Sequence, residues 1–345
     1  MKQTAAATSI TLTILTILLA NQAATLTTAT VCDIFDAANT PCVAAHSTTR
    51  KLFTKFNGPL YQITRAFDHT SVNITTLPSG YADASIQDLF CAAADAGCIV
   101  DTIYDQSFHK NHLTLAPPGG AHNLPDTGVD AMKLPLTLNG HKVYAAYFEG
   151  GGHGEVTMGY RNDKTSGVAT GDDPETLYMV TSGRHYNGGC CFDYGNAEIN
   201  NLDTGAGSME AIYFGNSTVS GKGQGKGPWI MADLENGLWA GGDRYGPGYA
   251  VDADYVTAMV KGDSGNHFSL KGGNAQSGKL TILYDGVRPK GYSPMKKQGA
   301  IILGIGGDNS NSAIGTFYEG VMTKGYTSDV TDDAVQANIV AAGYV

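Results

Sequence analysis

Apolar and polar positions alternate in short runs over most of the chain, from about Lys142 to the C-terminus. The runs are rich in β-branched and aromatic residues and are bounded by Gly, Asn, Asp and Pro, which is typical of strands joined by turns. Many short strands in succession indicate a β-sandwich. The predicted strands are 143–148, 177–181, 209–214, 229–239, 255–260, 267–270, 280–284, 300–305 and 316–322.

The chain before Lys142 has a weaker pattern, with Pro-rich connections and one segment of helical spacing. In that segment Asp83 can cap a helix whose apolar face is formed by Ile86, Leu89 and Phe90. We therefore expect mostly irregular structure and one helix in this part of the chain.

A second helix is predicted at the C-terminus. Thr331 or Asp332 can serve as its N-cap, and acidic residues in the first turn suit the positive end of the helix dipole. Apolar residues recur at helical spacing at Val335, Ile339 and Val340. The expected fold class is therefore all-β, a sandwich with a few short helices.

An apolar run at 10–20 follows Lys2 and precedes a stretch of small residues. The run is too short to span a bilayer, and the pattern is typical of a secretory signal peptide. We expect a signal peptide over about 1–25, one domain over 26–345, and a secreted, extracellular protein. Glycosylation sequons at Asn73 and Asn216 agree with that compartment.

The formal net charge of −10 argues against a nucleic-acid partner, because the sequence has no basic stripe that could replace phosphate counterions. Anionic polymers are not expected as ligands either.

No later run is apolar and long enough for a membrane helix. The 45 Gly and 18 Tyr indicate tight turns and aromatic, hydrogen-bonding surfaces, a composition usual in secreted β proteins that act on sugars.

Two of the six cysteines, Cys190 and Cys191, are adjacent. A bond between them would close a strained ring, because Cα atoms near the usual peptide spacing of ~3.8 Å are closer than in ordinary disulfides. The alternative is that each pairs elsewhere, and six cysteines allow about fifteen connectivities. Proximity favours local pairs and leaves the adjacent two together: Cys32 with Cys42, Cys91 with Cys98, and Cys190 with Cys191.

The segment 228–236 carries a pair of acids, Asp233 and Glu235. In an extended strand these side chains project from one face. On a sugar-binding surface such an environment can keep one carboxylate ionised as a nucleophile while a second carboxyl elsewhere acts as the acid. The alternative is an exposed acidic strand edge.

A second candidate is Asp308, which follows a buried apolar run and two glycines. Glycines allow the backbone to approach a ligand closely and would expose the acid at the end of the strand. The alternative is an Asx-turn residue, a common role for Asp after Gly-Gly.

Two other patterns are less specific. The segment 262–265 (Gly-Asp-Ser-Gly) and His46 are similar to serine-protease segments, but Asn266 stands where a glycine is expected and a triad is recognised by its geometry. The glycine-rich run 221–227 lacks the strand and helix that frame a phosphate loop, so we expect a flexible surface loop there.

Metal binding is not expected from the histidines. His109 and His112 have a spacing that could bind a metal on a helix, but they lie among turn-forming residues and make an incomplete site. His153 lies in a Gly-rich segment and is also expected in a loop.

Five segments together resemble glycoside hydrolase family 54, the secreted α-L-arabinofuranosidases, and the resemblance runs from about Val31 to Tyr344. All six cysteines are placed as in that family. The segments are 45–50 (Ala-His-Ser-Thr-Thr-Arg), 103–106 (Ile-Tyr-Asp-Gln), 190–196 (Cys-Cys-Phe-Asp-Tyr-Gly-Asn), 227–236 (Gly-Pro-Trp-Ile-Met-Ala-Asp-Leu-Glu-Asn) and 304–310 (Gly-Ile-Gly-Gly-Asp-Asn-Ser).

The resemblance implies a jelly-roll type β-sandwich that removes terminal α-L-arabinofuranosyl groups with retention, without a cofactor. It implies that Glu235 is the nucleophile and Asp308 the general acid/base. The 190–191 disulfide would form part of the floor under the sugar, and Cys32–Cys42 and Cys91–Cys98 would be structural bridges. Hydrogen bonds to the sugar hydroxyls would come from Asp233, Asn236 and the backbone at Gly307.

The sequence departs from the family pattern in two places. Family members generally continue into an arabinose-binding β-trefoil, whereas this sequence ends at Val345, so we expect weaker retention on insoluble polysaccharide through lost avidity. The loop 218–220 also lacks the aromatic residue expected at the pocket mouth. A non-catalytic, secreted carbohydrate-binding protein on the same fold is the alternative function.

Overall fold

The computed structural model describes residues 29–93, 97–151 and 157–345, so the predicted signal peptide and His153 lie outside the described residues. Twenty strands and three helices are found in the described part of the chain. The helices are α1 (Val31–Ala37), α2 (Ala84–Phe90) and α3 (Asp329–Ala341). The strands are β1 (Cys42–Ser47), β2 (Tyr61–Arg65), β3 (Ser71–Ile74), β4 (Cys98–Ile103), β5 (Leu113–Leu115), β6 (Leu134–Leu138), β7 (His141–Phe148), β8 (Tyr160–Asn162), β9 (Glu175–Ser182), β10 (Asp193–Ala197), β11 (Glu210–Gly215), β12 (Lys222–Gln224), β13 (Trp229–Asp233), β14 (Leu238–Trp239), β15 (Tyr245–Tyr249), β16 (Tyr255–Asp263), β17 (His267–Asn274), β18 (Thr281–Gly286), β19 (Ala300–Leu303) and β20 (Gly315–Lys324).

The strands form two large sheets, which confirms the predicted all-β sandwich. One sheet has ten strands in the order β14-β13-β11-β10-β19-β8-β5-β4-β2-β3. The other has eight, in the order β18-β17-β16-β9-β20-β7-β6, with β1 paired to β20. Non-consecutive neighbours such as β10 and β19 bring segments far apart in sequence side by side, and this places the candidate residues together.

The strands predicted after Lys142 are found with small shifts at their ends, apart from 229–239, which breaks into β13 and β14. The expectation for the earlier part was wrong, because β1 to β6 and α1 lie there. Short runs that mix polar and apolar residues, such as β3 with only Ile74 buried, show little of the alternation on which the prediction depended.

Both predicted helices exist, but details of each prediction were wrong. Asp83 caps α2 by accepting from Ser85 N at 3.1 Å, and Ile86 and Phe90 pack against the main core as predicted. Leu89, however, is 81% exposed, and the fully buried residues are Ala84 and Gln87. Ser328, not Thr331 or Asp332, caps α3. Asp332 is instead buried, where it binds two lysine ammonium groups of the eight-stranded sheet.

The two faces of the ten-stranded sheet have different surroundings. Phe192, Tyr194 and Ile212 belong to the main apolar core together with residues of the eight-stranded sheet. Tyr213 and Met231 point to the opposite face and belong to a separate apolar cluster with Cys191. The candidate acids lie on this outer face, so the main core supports the site from behind.

Two of the five family-like segments hold the frame of the fold. Arg50 donates to both carboxylate oxygens of Glu319, at 2.6 and 2.7 Å, in a buried ion pair. Asp105 accepts from three backbone N–H groups, including Ala45 N at 2.8 Å. Because charges removed from water need such partners, these residues have structural roles.

The serine-protease resemblance has no geometric basis. His46 is buried and bonded through Nδ1 to Tyr194 Oη at 3.0 Å and through Nε2 to Asn111 O at 2.9 Å. Ser264 lies on the surface, in the turn between β16 and β17. The expectation of a flexible loop at 221–227 was wrong in part, since β12 lies there and pairs with β15.

His109 and His112 occupy turns and have hydrogen-bond partners. His109 Nδ1 contacts Ser166 Oγ at 2.9 Å, and His112 Nδ1 accepts from Asp105 N at 3.0 Å.

No helix in the described part of the chain is both long enough and apolar enough to cross a membrane.

Candidate active site

A cavity of about 560 Å³ opens on the outer face of the ten-stranded sheet. It collects the ends of β13 and β19 and the segment that leads into β10. All of the predicted catalytic and sugar-binding residues line this cavity: Cys190, Cys191, Asp233, Glu235, Asn236, Gly307 and Asp308.

A second groove, of about 590 Å³, lies near Phe53, Phe56, Tyr104 and Phe108. Among its described lining residues the one carboxylate, Asp105, is already bound to backbone N–H groups. This groove therefore lacks the pair of carboxyls that hydrolysis of a glycosidic bond requires.

Strand β13 ends at Asp233, and the chain turns at once. Glu235 and Asn236 adopt left-handed backbone conformations, with φ of 62° and 57°. Such conformations are uncommon for residues other than glycine and cluster at functional sites. The expectation that Asp233 and Glu235 share one face of an extended strand was therefore wrong, but the turn still directs both side chains into the cavity.

Hydrogen bonds within this turn fix its shape. Glu235 N donates to Asp233 Oδ1 at 3.0 Å. The exposed Asn236 donates through Nδ2 to Asp203 Oδ1 at 3.1 Å at the rim of the cavity. Asp233 and Glu235 are only 6% and 7% exposed, so neither is on an exposed acidic edge.

The segment after β19 supplies the opposite acid. Asp308 is half-buried, lines the cavity and accepts from Ser310 N at 3.0 Å. The Asx turn expected as the alternative is therefore present, and it holds the carboxyl at the cavity, where its catalytic role stays a prediction. A Cβ at Gly307 would collide with Glu198 Oε2 and lie 3.1 Å from Glu235 Oε2, so glycine lets the backbone approach both acids without displacing them.

Cys190 and Cys191 are bonded to each other, and the other two predicted disulfides are also formed. The Cα atoms of the adjacent pair are 2.9 Å apart, closer than the expected ~3.8 Å, across a cis peptide bond. Cys191 N donates to Ser310 O at 3.0 Å, which joins the pair to the Asp308 segment. Cys191 Sγ also lies 3.4 Å from Asp233 Oδ2, but bonded sulfurs offer no thiolate to a metal.

A family model described as the catalytic part of α-L-arabinofuranosidase B matches residues 31–345. The chain belongs to this family.

Curated relatives of the family are similar over most of this chain. An α-L-arabinofuranosidase of Hypocrea jecorina is 55% identical over 331 residues, which cover 93% of this chain and 64% of the relative. α-L-Arabinofuranosidase B of Aspergillus niger is 53% identical over 91% of this chain and 63% of its own length. The chain thus spans less than two thirds of the curated relatives that it matches.

Solved structures of the family have the same fold. An arabinofuranosidase in complex with arabinofuranosyl-α-1,2-xylobiose is 53% identical with a TM-score of 0.87, covering 92% of this chain and 66% of that one. A GH54 α-L-arabinofuranosidase soaked with a cyclic sulfate inhibitor has the same identity and coverage and a TM-score of 0.86.

Three further residues complete the site of this arabinofuranosidase-family chain and were missed in the sequence. Glu198 follows β10 directly and is fully buried beside Glu235. Asp193 begins β10, is also fully buried, and contacts Asp233. Arg161, on β8, donates to the carbonyls of Gly307, at 2.8 Å, and of Glu198, and so links the two segments that carry acids.

These contacts change the protonation of the acids. Burial and the neighbouring Glu198 carboxyl raise the pKa of Glu235 well above its usual range. Burial raises the pKa of Asp233 to about 7, with further contributions from nearby acids. Burial and Asp233 raise the pKa of Asp193 as well. Carboxyls this close cannot all ionise, so protons are shared between them near neutral pH.

Replacing Asp193 by Asn is expected to flatten the pH dependence of stability. The folded chain keeps a proton on Asp193 that the unfolded chain loses above about pH 4, so this group lowers the free energy of unfolding as the pH rises. The free energy of unfolding of the variant should therefore fall less between pH 4 and pH 7 than that of wild type. Urea unfolding at pH 4 and pH 7 measures the free energy of unfolding of both proteins. An equal change in this free energy between the two pH values for variant and wild type would contradict the prediction.

Proposed function

We propose that this chain is a secreted, retaining, exo-acting α-L-arabinofuranosidase that releases terminal α-L-arabinofuranosyl groups from arabinan, arabinoxylan or related plant polysaccharides. The observation that carries the proposal is that Glu235 and Asp308 come from different strand ends and line one cavity beside the 190–191 disulfide. Membership of the arabinofuranosidase family supports the substrate class. A related structure with arabinofuranosyl-α-1,2-xylobiose supports an arabinose-containing oligosaccharide as ligand.

Glu235 is the nucleophile in this mechanism. Its carboxylate attacks the anomeric carbon while the Asp308 carboxyl protonates the leaving oxygen, giving a covalent arabinosyl-enzyme. Asp308, now ionised, then removes a proton from the water that cleaves this ester, and the configuration is retained. The mechanism predicts that the two carboxyls lie about 5–5.5 Å apart when the sugar is bound.

Several other groups hold the sugar. The 190–191 disulfide forms a rigid part of the floor, and Asp233 and the exposed amide of Asn236 bond to sugar hydroxyls together with the backbone at Gly307. No cofactor and no metal take part in the mechanism. The protein acts as a monomer outside the cell without a nucleic-acid or membrane partner, and the exposed Asn73 and half-buried Asn216 carry glycans.

The alternative function is a carbohydrate-binding protein that has lost turnover. The altered rim at 218–220 is the feature that favours it, since Val219 there is 83% exposed and no aromatic ring borders the cavity in this segment. Incubation with 4-nitrophenyl α-L-arabinofuranoside separates the two functions. We expect release of nitrophenol, whereas binding of arabinose without release would support the alternative.

Replacing Ser220 by Trp is expected to lower KM for arabinoxylan oligosaccharides by about three- to tenfold. Ser220 lines the cavity, and an aromatic face there can stack on the sugar next to the arabinose, a contact of about 0.5–1.5 kcal/mol. Ser277→Trp is the matched control, because Ser277 is exposed and lies outside the cavity lining. Equal KM values for the two variants would show that the rim does not bind substrate.

A further inference from the structure

Glu198 is a fully buried acid that the proposed mechanism leaves unused. It follows β10 directly, lies outside the cavity lining, and contacts the Glu235 carboxyl from behind. The Oε2 atoms of both residues pack against the Cα of Gly307. A Cβ at that position would collide with Glu198 Oε2 and contact Glu235 Oε2. Glu198 therefore contacts the nucleophile but cannot contact the sugar.

The position of Glu198 is fixed at two points. Its Oε1 accepts from Ser208 Oγ at 2.7 Å, and its carbonyl accepts from Arg161. No N–H or hydroxyl donor of the described residues reaches its buried Oε2. A buried carboxylate oxygen without a donor is costly, and a proton shared with the adjacent Glu235 carboxyl satisfies it.

The charges around this pair are almost all negative. Arg161 bonds to the Glu198 carbonyl, but its guanidinium is committed to this carbonyl, to that of Gly307 and to Asp163, at 2.5 Å from Nε. Two touching carboxyls in such surroundings retain one proton between them. The charged and titratable groups that face the pair from its own and neighbouring segments are Arg161, Asp193, Asp203, Asp233, Tyr292 and Asp308.

We propose that Glu198 is a positioning residue that keeps this shared proton while Glu235 attacks the sugar. The inference rests on the proposed function, because it assigns the nucleophile to Glu235. Glu198 has no solvent contact, whereas Glu235 opens on the cavity, so the proton is held on the more buried carboxyl and the charge stays where the sugar binds.

The proton count through the reaction follows from this arrangement. One Glu235 oxygen bonds to the anomeric carbon as the bond to the leaving oxygen breaks, and the leaving oxygen takes its proton from Asp308. The Glu198 proton is not transferred in this step. It continues to donate to the other Glu235 oxygen, which becomes the carbonyl oxygen of the ester.

Glu198→Gln tests this role, because the amide keeps the volume and a donor but removes one titrating group. A protonated Glu198 is a neutral donor to the Glu235 carboxylate, and so is the amide of the variant. The acid limb of the kcat/KM profile for 4-nitrophenyl α-L-arabinofuranoside should therefore stay at the wild-type pH in Glu198→Gln. In Glu198→Leu the Glu235 carboxylate loses this donor, so its acid limb should move up by roughly one pH unit.

Ser208→Ala is the matched control, since it removes a hydrogen bond to Glu198 without changing the number of carboxyls. Its acid limb should stay at the wild-type pH even if its kcat falls. An acid limb that moves to lower pH in Glu198→Gln would show that Glu198 is ionised, and one that stays in place in Glu198→Leu would show that it donates nothing; either result would overturn the proposed role while leaving the proposed function intact.

A second measurement does not depend on turnover. Infrared spectra at pH 7 should show one fewer protonated carboxyl C=O band in Glu198→Gln than in wild type, and the same number in Ser208→Ala. An unchanged band in Glu198→Gln would overturn the inference. A wild type that shows this band but releases no nitrophenol would contradict the proposed function instead.

Discussion

Glu235→Gln is expected to abolish hydrolysis of 4-nitrophenyl α-L-arabinofuranoside, with a loss of roughly 10⁴-fold or more in kcat/KM. The amide cannot form the covalent bond to the anomeric carbon, and no other carboxyl takes its place. Asp233 is committed to Glu235 N and Asp193, and Glu198 lies behind the cavity wall. The loss should therefore be in kcat, with binding of the arabinofuranoside retained.

Glu149→Gln is a suitable control for this variant. This substitution also exchanges a carboxylate for an amide of equal size. Glu149, however, pairs with Lys133 on the surface and does not line the cavity. It should keep full activity. Retention of more than about a tenth of wild-type kcat by Glu235→Gln would exclude it as the nucleophile.

Asp308→Asn is expected to show a loss that depends on the leaving group. Nitrophenolate departs with little protonation, so formation of the arabinosyl-enzyme should slow only slightly, whereas a xylose leaving group needs the acid and should lose about 10²–10⁴-fold. Breakdown of the intermediate still needs a base, so nitrophenol should appear in a burst. A pre-steady-state measurement with both substrates checks this.

Azide gives a second test of Asp308. It attacks the intermediate without help from a base, so it should restore turnover of the nitrophenyl substrate by Asp308→Asn and yield an arabinofuranosyl azide. Azide should not restore Glu235→Gln, which forms no intermediate. Equal losses on the two leaving groups and no response to azide would show that Asp308 is not the general acid/base.

The sequence was most informative where a site residue lies in a distinctive run. The acids of 228–236 and the Gly-Gly-Asp of 306–308 could be found because strand ends followed by acids or glycines are visible in one dimension. The cysteine pairs could be predicted from proximity. The turn at Glu235 could not, since a left-handed backbone at a glutamate has no local sequence signature.

Glu198, Asp193 and Arg161 could not be found because their roles depend on strand order. β10 lies between β11 and β19, which come later in the chain, and only this order brings Glu198 against Glu235 and Gly307. A signal was nevertheless present in part. Asp193 falls within the family-like segment 190–196, two residues after the adjacent cysteines.

The stereochemistry of transfer to methanol tests the central proposal most directly. The wild-type protein is incubated with 4-nitrophenyl α-L-arabinofuranoside in aqueous methanol, and the methyl arabinofuranoside formed is identified by NMR. A covalent intermediate on Glu235, resolved by Asp308, predicts the methyl α-L-arabinofuranoside, with retained configuration. Formation of the β-anomer, or of no transfer product and no nitrophenol, would contradict it.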